Sequence, residues 1–199
     1  MWAGMKAAVL GLALLLSGCT AMGVPETDDP AEKLRQANSL YDQQGRPFPA
    51  EKLIQEAIEI YQARGDDLGL AEAYRQYGFF FRSETVGNNA ALYASQGFLD
   101  PTATVENRYQ KSAEYFGRAG QLFEAAGQFD SLSNTQLNEG FTYHFMNQTK
   151  LACAAFDRSL ESQRRAERTQ SGGAPSLPQG FTSFDSYIEA VRQEAGCPA

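Results

Sequence analysis

Residues 140–156 read GFTYHFMNQTKLACAAF. Gly140 and Tyr143, three apart, fall on one side of a first helix. Ala152 and Phe156, four apart, fall on one side of a second, with Leu160 beyond. A glycine or alanine lets two helices approach closely while an aromatic ring fills the gap between them. The stretch therefore predicts a tightly packed helical pair. The same spacing extends outward in both directions. Apolar residues recur at three and four in Leu34, Ala37, Tyr41; in Leu53, Ala57, Ile60, Tyr61; and in Leu70, Ala73, Tyr74, Tyr77, Phe81. Tyr109, Ala113, Phe116, Ala119, Leu122 and Phe123 continue the pattern. No segment alternates with period two, and turn signals stand at Gly45-Arg46-Pro47, Gly65-Asp66-Asp67 and Gly127-Gln128. The chain reads as all-α.

The helices also echo one another. Residues 57–81 return at 119–143: Ala119 answers Ala57, Phe123 answers Tyr61, Gly127 answers Gly65, and Gly140 answers Gly78. Ala119 and Phe123 in turn align with Ala152 and Phe156, one period of about 34 residues later. These residues resemble the tetratricopeptide repeat. That family sets Gly and an aromatic three later on a first helix, then Ala and an aromatic four later on a second. The pattern departs from the family in two ways: the proline after the second helix is missing from every copy, and residues 83–104 interrupt the unit begun by Gly78. The resemblance implies a right-handed superhelical array of antiparallel helix pairs over residues 31–168. A plain amphipathic bundle shares much of the same periodicity. Residues 169–182, rich in Gly and Pro, read as a linker. Residues 183–199, with Phe184, Tyr187, Ile188 and Val191 on one face, read as a capping helix.

The N-terminus carries a basic start at Lys6 and an apolar run from Ala7 to Leu16. That run is about half the ~20 residues needed to span a bilayer, so it reads as a signal-peptide core. It ends in Leu16-Ser17-Gly18-Cys19, which resembles the bacterial lipoprotein signal. The resemblance implies a signal peptide over residues 1–18 and acylation (palmitate among the acyl groups) at Cys19. Thr20, standing where an Asp would retain the protein on the inner membrane, implies the outer membrane facing the periplasm. Residues 19–30, with two prolines and several acids, form a tether. With Cys19 acylated, Cys153 and Cys197 remain as an even pair in an oxidising compartment. They are expected to form a disulfide; two free thiols are the alternative.

The charge balance is acidic, 17 Lys and Arg against 24 Asp and Glu, which disfavours nucleic acid as a partner. One His and three Cys exclude most zinc sites, and no nucleophile elbow or phosphate-cradling motif is present. His144 reads as a structural helix residue. Asp28-Asp29 and Asp66-Asp67 read as solvated caps. Neither an enzyme, a metal site nor a cofactor is expected. The expected role is a lipid-anchored scaffold or adaptor in cell-envelope assembly that binds an envelope protein or peptide. In the resembling family, ligands lie along the face made by the first helices. The residues expected to line that groove are Arg75, Phe79, Asn138 and Phe141. A second reading makes residues 83–104 a ligand-facing loop presenting Leu92, Tyr93, Phe98 and Leu99 over a small-molecule pocket. A cryptic hydrolase is a third, weaker reading.

Overall fold

A computed structural model describes residues 23–169 and 177–198. The signal segment, Cys19 and residues 170–176 of the 169–182 linker lie outside the described residues. Among the described residues there are helices and no strand. The helices are α1 (Pro30–Asn38), which runs on into a π-helical turn over Ser39–Gln43, α2 (Pro47–Arg64) and α3 (Asp67–Arg82). Two short helices follow, α4 (Glu84–Asn88) and α5 (Ala90–Gln96). Then come α6 (Arg108–Ala125), α7 (Phe129–Phe145), α8 (Thr149–Thr169) and α9 (Phe184–Glu194). No helix among the described residues is long and apolar enough to cross a membrane.

Local chemistry sets the ends. Asp29 accepts the Ala31 amide and Asp66 the Gly69 amide, so one acid of each pair read as a cap is an N-cap. Ser183 and Ser186 exchange bonds in a capping box that starts α9. Gly65 closes α2 at φ 64° and Gly127 follows α6 at φ 70°, conformations that glycine reaches without strain. The equivalent turn after α7 uses Asn147 at φ 57°, a signal weaker than glycine in sequence.

The long helices pack in chain order: α1 on α2, α2 on α3, α3 on α6, α6 on α7, α7 on α8, and α8 on α9. Two pairs share one contact. A Cβ placed on Gly140 would lie 2.5 Å from the Phe156 ring, and one on Gly78 would lie 2.9 Å from the Phe116 ring. Phe116, and not Phe123, thus stands where Phe156 stands, which corrects the sequence alignment of α6 with α8. Further along the same pairs, Ala71 packs in one cluster with Ala119. Ser133 and Ser159 meet at the equivalent crossing, each hydroxyl donating to the other's carbonyl at 2.8 Å.

Residues 83–104 fold back on the array. Tyr93 and Phe98 are buried, at 2% and 9% exposure, while Leu92 and Leu99 are exposed at 46% and 55%. The Tyr93 ring stacks between Phe48 at 4.6 Å and Phe98 at 4.0 Å, and Phe98 meets Phe81 at 5.2 Å. Burying two aromatics outweighs presenting them to water. Two of the four side chains expected to face a ligand, Tyr93 and Phe98, thus pack on the array, while Leu92 and Leu99 face outward.

This packing buries a carboxylate. Glu51, 2% exposed, accepts the Tyr77 hydroxyl at 2.7 Å and the Leu99 amide at 2.9 Å. Burial raises its pKa above the ordinary 4.5, against the opposing pull of those two bonds. The folded protein therefore holds this proton more tightly than the unfolded chain does. The group's contribution to stability is present below about pH 4.5 and is lost as pH rises through the folded pKa. Glu51→Gln keeps an acceptor without the charge. Its stability relative to the wild type is expected to improve between pH 4.5 and pH 7.5, by up to ~1.4 kcal/mol per pH unit within the titration range. Urea unfolding at the two pH values checks this; a difference independent of pH contradicts it.

The cysteine expectation holds. Cys153 on α8 and Cys197 beyond α9 form a disulfide, with Cα atoms 5.6 Å apart. Ion pairs Arg164–Asp185 at 2.6 Å and Arg192–Asp157 tie the same two helices together. The final helix is docked, with Phe184, Ile188 and Val191 buried against Leu137, Ala152 and Phe156.

Candidate partner-binding groove

The first helices of the pairs, α1 with its π-turn, α3 and α7, share a cavity of about 690 Å³. Phe79 from α3 and Phe141 and Phe145 from α7 supply its apolar wall. Phe79 also meets Phe116 edge-on at 5.0 Å, and Phe141 meets Phe156 edge-on at 5.4 Å. Each ring is half-buried, with one side in the array and the other on the groove. Phe145 is the outer ring, 55% exposed. The π-turn brings Tyr41 and Asp42 to the opposite rim, where the Tyr41 hydroxyl accepts from Gln76 Nε2 at 2.7 Å. Burial pushes the Tyr41 phenol above its usual range, so it stays neutral.

The floor is Arg82, the last residue of α3. Its Nη1 donates to the Asn138 carbonyl at 2.9 Å and its Nη2 to Asn138 Oδ1 at 2.5 Å. The guanidinium lies 5.2 Å from the Phe79 ring centre, 5.4 Å from Phe116 and 6.0 Å from Phe145, within cation–π range. Loss of hydration lowers its pKa to about 10, so it remains charged at neutral pH.

Of the four residues expected from sequence, Phe79 and Phe141 line this cavity together. Asn138 lies beside it and orients Arg82. Arg75 does not line it: it pairs with Glu72 at 2.5 Å and sits 5.4 Å from the Phe123 ring centre. Arg75 stands on nearly the same side of α3 as Phe79 but ~6 Å nearer the start of the helix, where Phe123 of α6 rather than the cavity lies beside it. Helical position also puts Arg82, Gln76 and Phe145 off the packing stripe, but spacing gives no reason to prefer them. Only the approach of α7 to the end of α3 selects Arg82.

Electrostatics elsewhere is local. Asp100 is 8% exposed. Burial pushes its carboxyl up, and bonds from Thr102, Lys111 and Tyr115 outweigh that and bring it down. The arginines of α8 are spent on ion pairs: Arg158 with Glu139, Arg164 with Asp185, Arg165 with Glu124, Arg168 with Glu161. Among the described residues no group of three or more His, Cys, Asp or Glu could hold a metal ion. His144 lies 6.3 Å from Phe145, on the flank of the groove. In the comparisons with protein-family models, curated proteins and solved structures, nothing matches this chain.

Proposed function

We propose that this protein is a lipid-anchored periplasmic scaffold or adaptor that holds an envelope protein or peptide in the α3–α7 groove. In this reading Cys19 carries the acyl chains on the outer membrane. The pairs α1/α2, α3/α6 and α7/α8 form a tetratricopeptide-like right-handed superhelix closed by α9. The observation that carries the reading is the groove itself, where a half-buried aromatic wall and polar side chains from three helices face one open cavity. Side-chain acceptors beside exposed aromatics suit a polypeptide, which needs backbone bonds and an anchor. Lipid on the N-terminus suits a scaffold, since each buried CH₂ adds ~0.8 kcal/mol and more than one chain gives durable anchoring.

The test has two arms. Cys19→Ala is expected to accumulate as unprocessed precursor and to leave the outer-membrane fraction; normal processing and sorting would overturn the anchor. In the second arm a photocrosslinking residue replaces Phe145, and in a control it replaces Glu59, exposed on α2. A discrete adduct from position 145, absent from position 59 and from the Phe79→Ala background, is the expected result. Equal adducts from both positions would overturn the groove.

A further inference from the structure

Arg82 is held by one edge of its fork. A guanidinium presents five N–H donors in a plane. The end formed by Nη1 and Nη2 goes to Asn138, and Nη1 also reaches Thr142 Oγ1 at 3.4 Å. The Nε–H and the Nη2–H beside it have no acceptor among the described residues, and no carboxylate there stands within ion-pair distance of Arg82. Its charge meets neutral oxygens and ring faces instead. Arg82 is the one base among the residues lining the cavity, and it lies beside an exposed aromatic, Phe145. The free Nε/Nη2 edge matches the two oxygens of a carboxylate. Asp42 and Glu84 line the same cavity, so a run of acids or a polyanion is repelled.

We infer that the groove takes a polypeptide segment with one internal aspartate or glutamate. The carboxylate seats bidentate on Nε and Nη2 of Arg82. A neighbouring large apolar side chain lies on Phe79, Phe141 and Phe145, and a basic residue nearby meets Asp42 and Glu84. Asn138 is a positioning residue: it fixes the plane of the fork and leaves the second edge to the ligand. This inference rests on the groove being the partner-binding face.

The probe is a library of random twelve-residue peptides displayed without a free C-terminus and selected on the purified full chain. The expected winners carry a single acid beside an aromatic or branched apolar residue. A synthetic winner is expected to lose about tenfold or more in affinity when its Asp is changed to Asn. Arg82→Lys is expected to cause a similar loss, because lysine keeps the charge and lacks the fork. Should Arg82→Lys fail to fold, the peptide substitution on the wild-type chain still decides. Two results overturn the inference: groove-dependent winners without an acid, or winners whose Asp→Asn change alters affinity less than about twofold. Each of these leaves the groove standing. Winners indifferent to both Phe145→Ala and Phe79→Ala, or no winners, overturn the groove reading as well.

Discussion

Gly140→Leu is expected to destabilise the protein by ~3 kcal/mol or more, a fall in Tm of ~6–12 °C for a chain of this size. The glycine faces Phe156, whose ring is fully buried and lies 2.5 Å from any added Cβ. Phe156 cannot withdraw, because it packs in one cluster with Leu137, Ala152, Phe184 and Ile188. Leucine would therefore push α7 from α8 and disturb the contact on which α9 docks. The better helix propensity of leucine offsets only ~1 kcal/mol of this. Gly117 supplies the opposite case. It lies inside α6 with open space where a Cβ would go. Gly117→Ala is expected to stabilise by up to ~1 kcal/mol, through helix propensity and a less flexible unfolded chain. Thermal melts followed by circular dichroism check both. Equal melting temperatures for the two variants would show that the α7–α8 contact is not close-packed in solution.

Cys197→Ser is the second large effect. The disulfide closes a loop with a sequence separation of 44. Chain-entropy arguments give ~4 kcal/mol for a loop of this length, which corresponds to a fall in Tm of ~8–16 °C. The loss should concentrate at α9, whose Phe184, Ile188 and Val191 are its buried anchors. Hydrogen exchange is expected to quicken in α9 before it changes in α3 or α6. Reductant should bring the wild type to the level of Cys197→Ser and leave the variant unmoved. A wild type indifferent to reductant would contradict the assignment.

Several features were legible from residue order because their causes are local. Helical periodicity marked α2, α3, α6, α7 and α8, since burying one stripe of a helix needs apolar residues every three or four positions. The acid pairs Asp28-Asp29 and Asp66-Asp67 could be read as caps because a short acceptor satisfies amides only a few residues away. Gly65 and Gly127 marked turns because the backbone there needs a positive φ. The cysteine pairing followed from counting thiols. Two groove residues, Phe79 and Phe141, were legible for a related reason: both follow a glycine that packs, and one step along a helix turns a side chain away from the packed face.

What sequence alone missed depends on how distant segments meet. Residues 83–104 shift the start of α6, so the repeat spacing aligned Phe123 with Phe156, whereas contact with Gly78 selects Phe116. The side chains of that insertion could be counted but not aimed. Tyr93 and Phe98 turn inward because Phe48 and Phe81, from α2 and α3, offer them ring faces. Nothing in residue order sets Glu51 apart from the other acids; it is the Tyr77 hydroxyl and the Leu99 amide of the same segment that meet it in the core. Arg75 and Arg82 are equivalent by composition and both lie off the packing stripe. Glu72 claims the first at a distance of one helical turn, while the second reaches Asn138 on another helix. Periodicity tells which side of a helix is buried. Which partner covers that side, and where an exposed cation finds its acceptor, is settled only when helices far apart in sequence are brought to within a few ångströms.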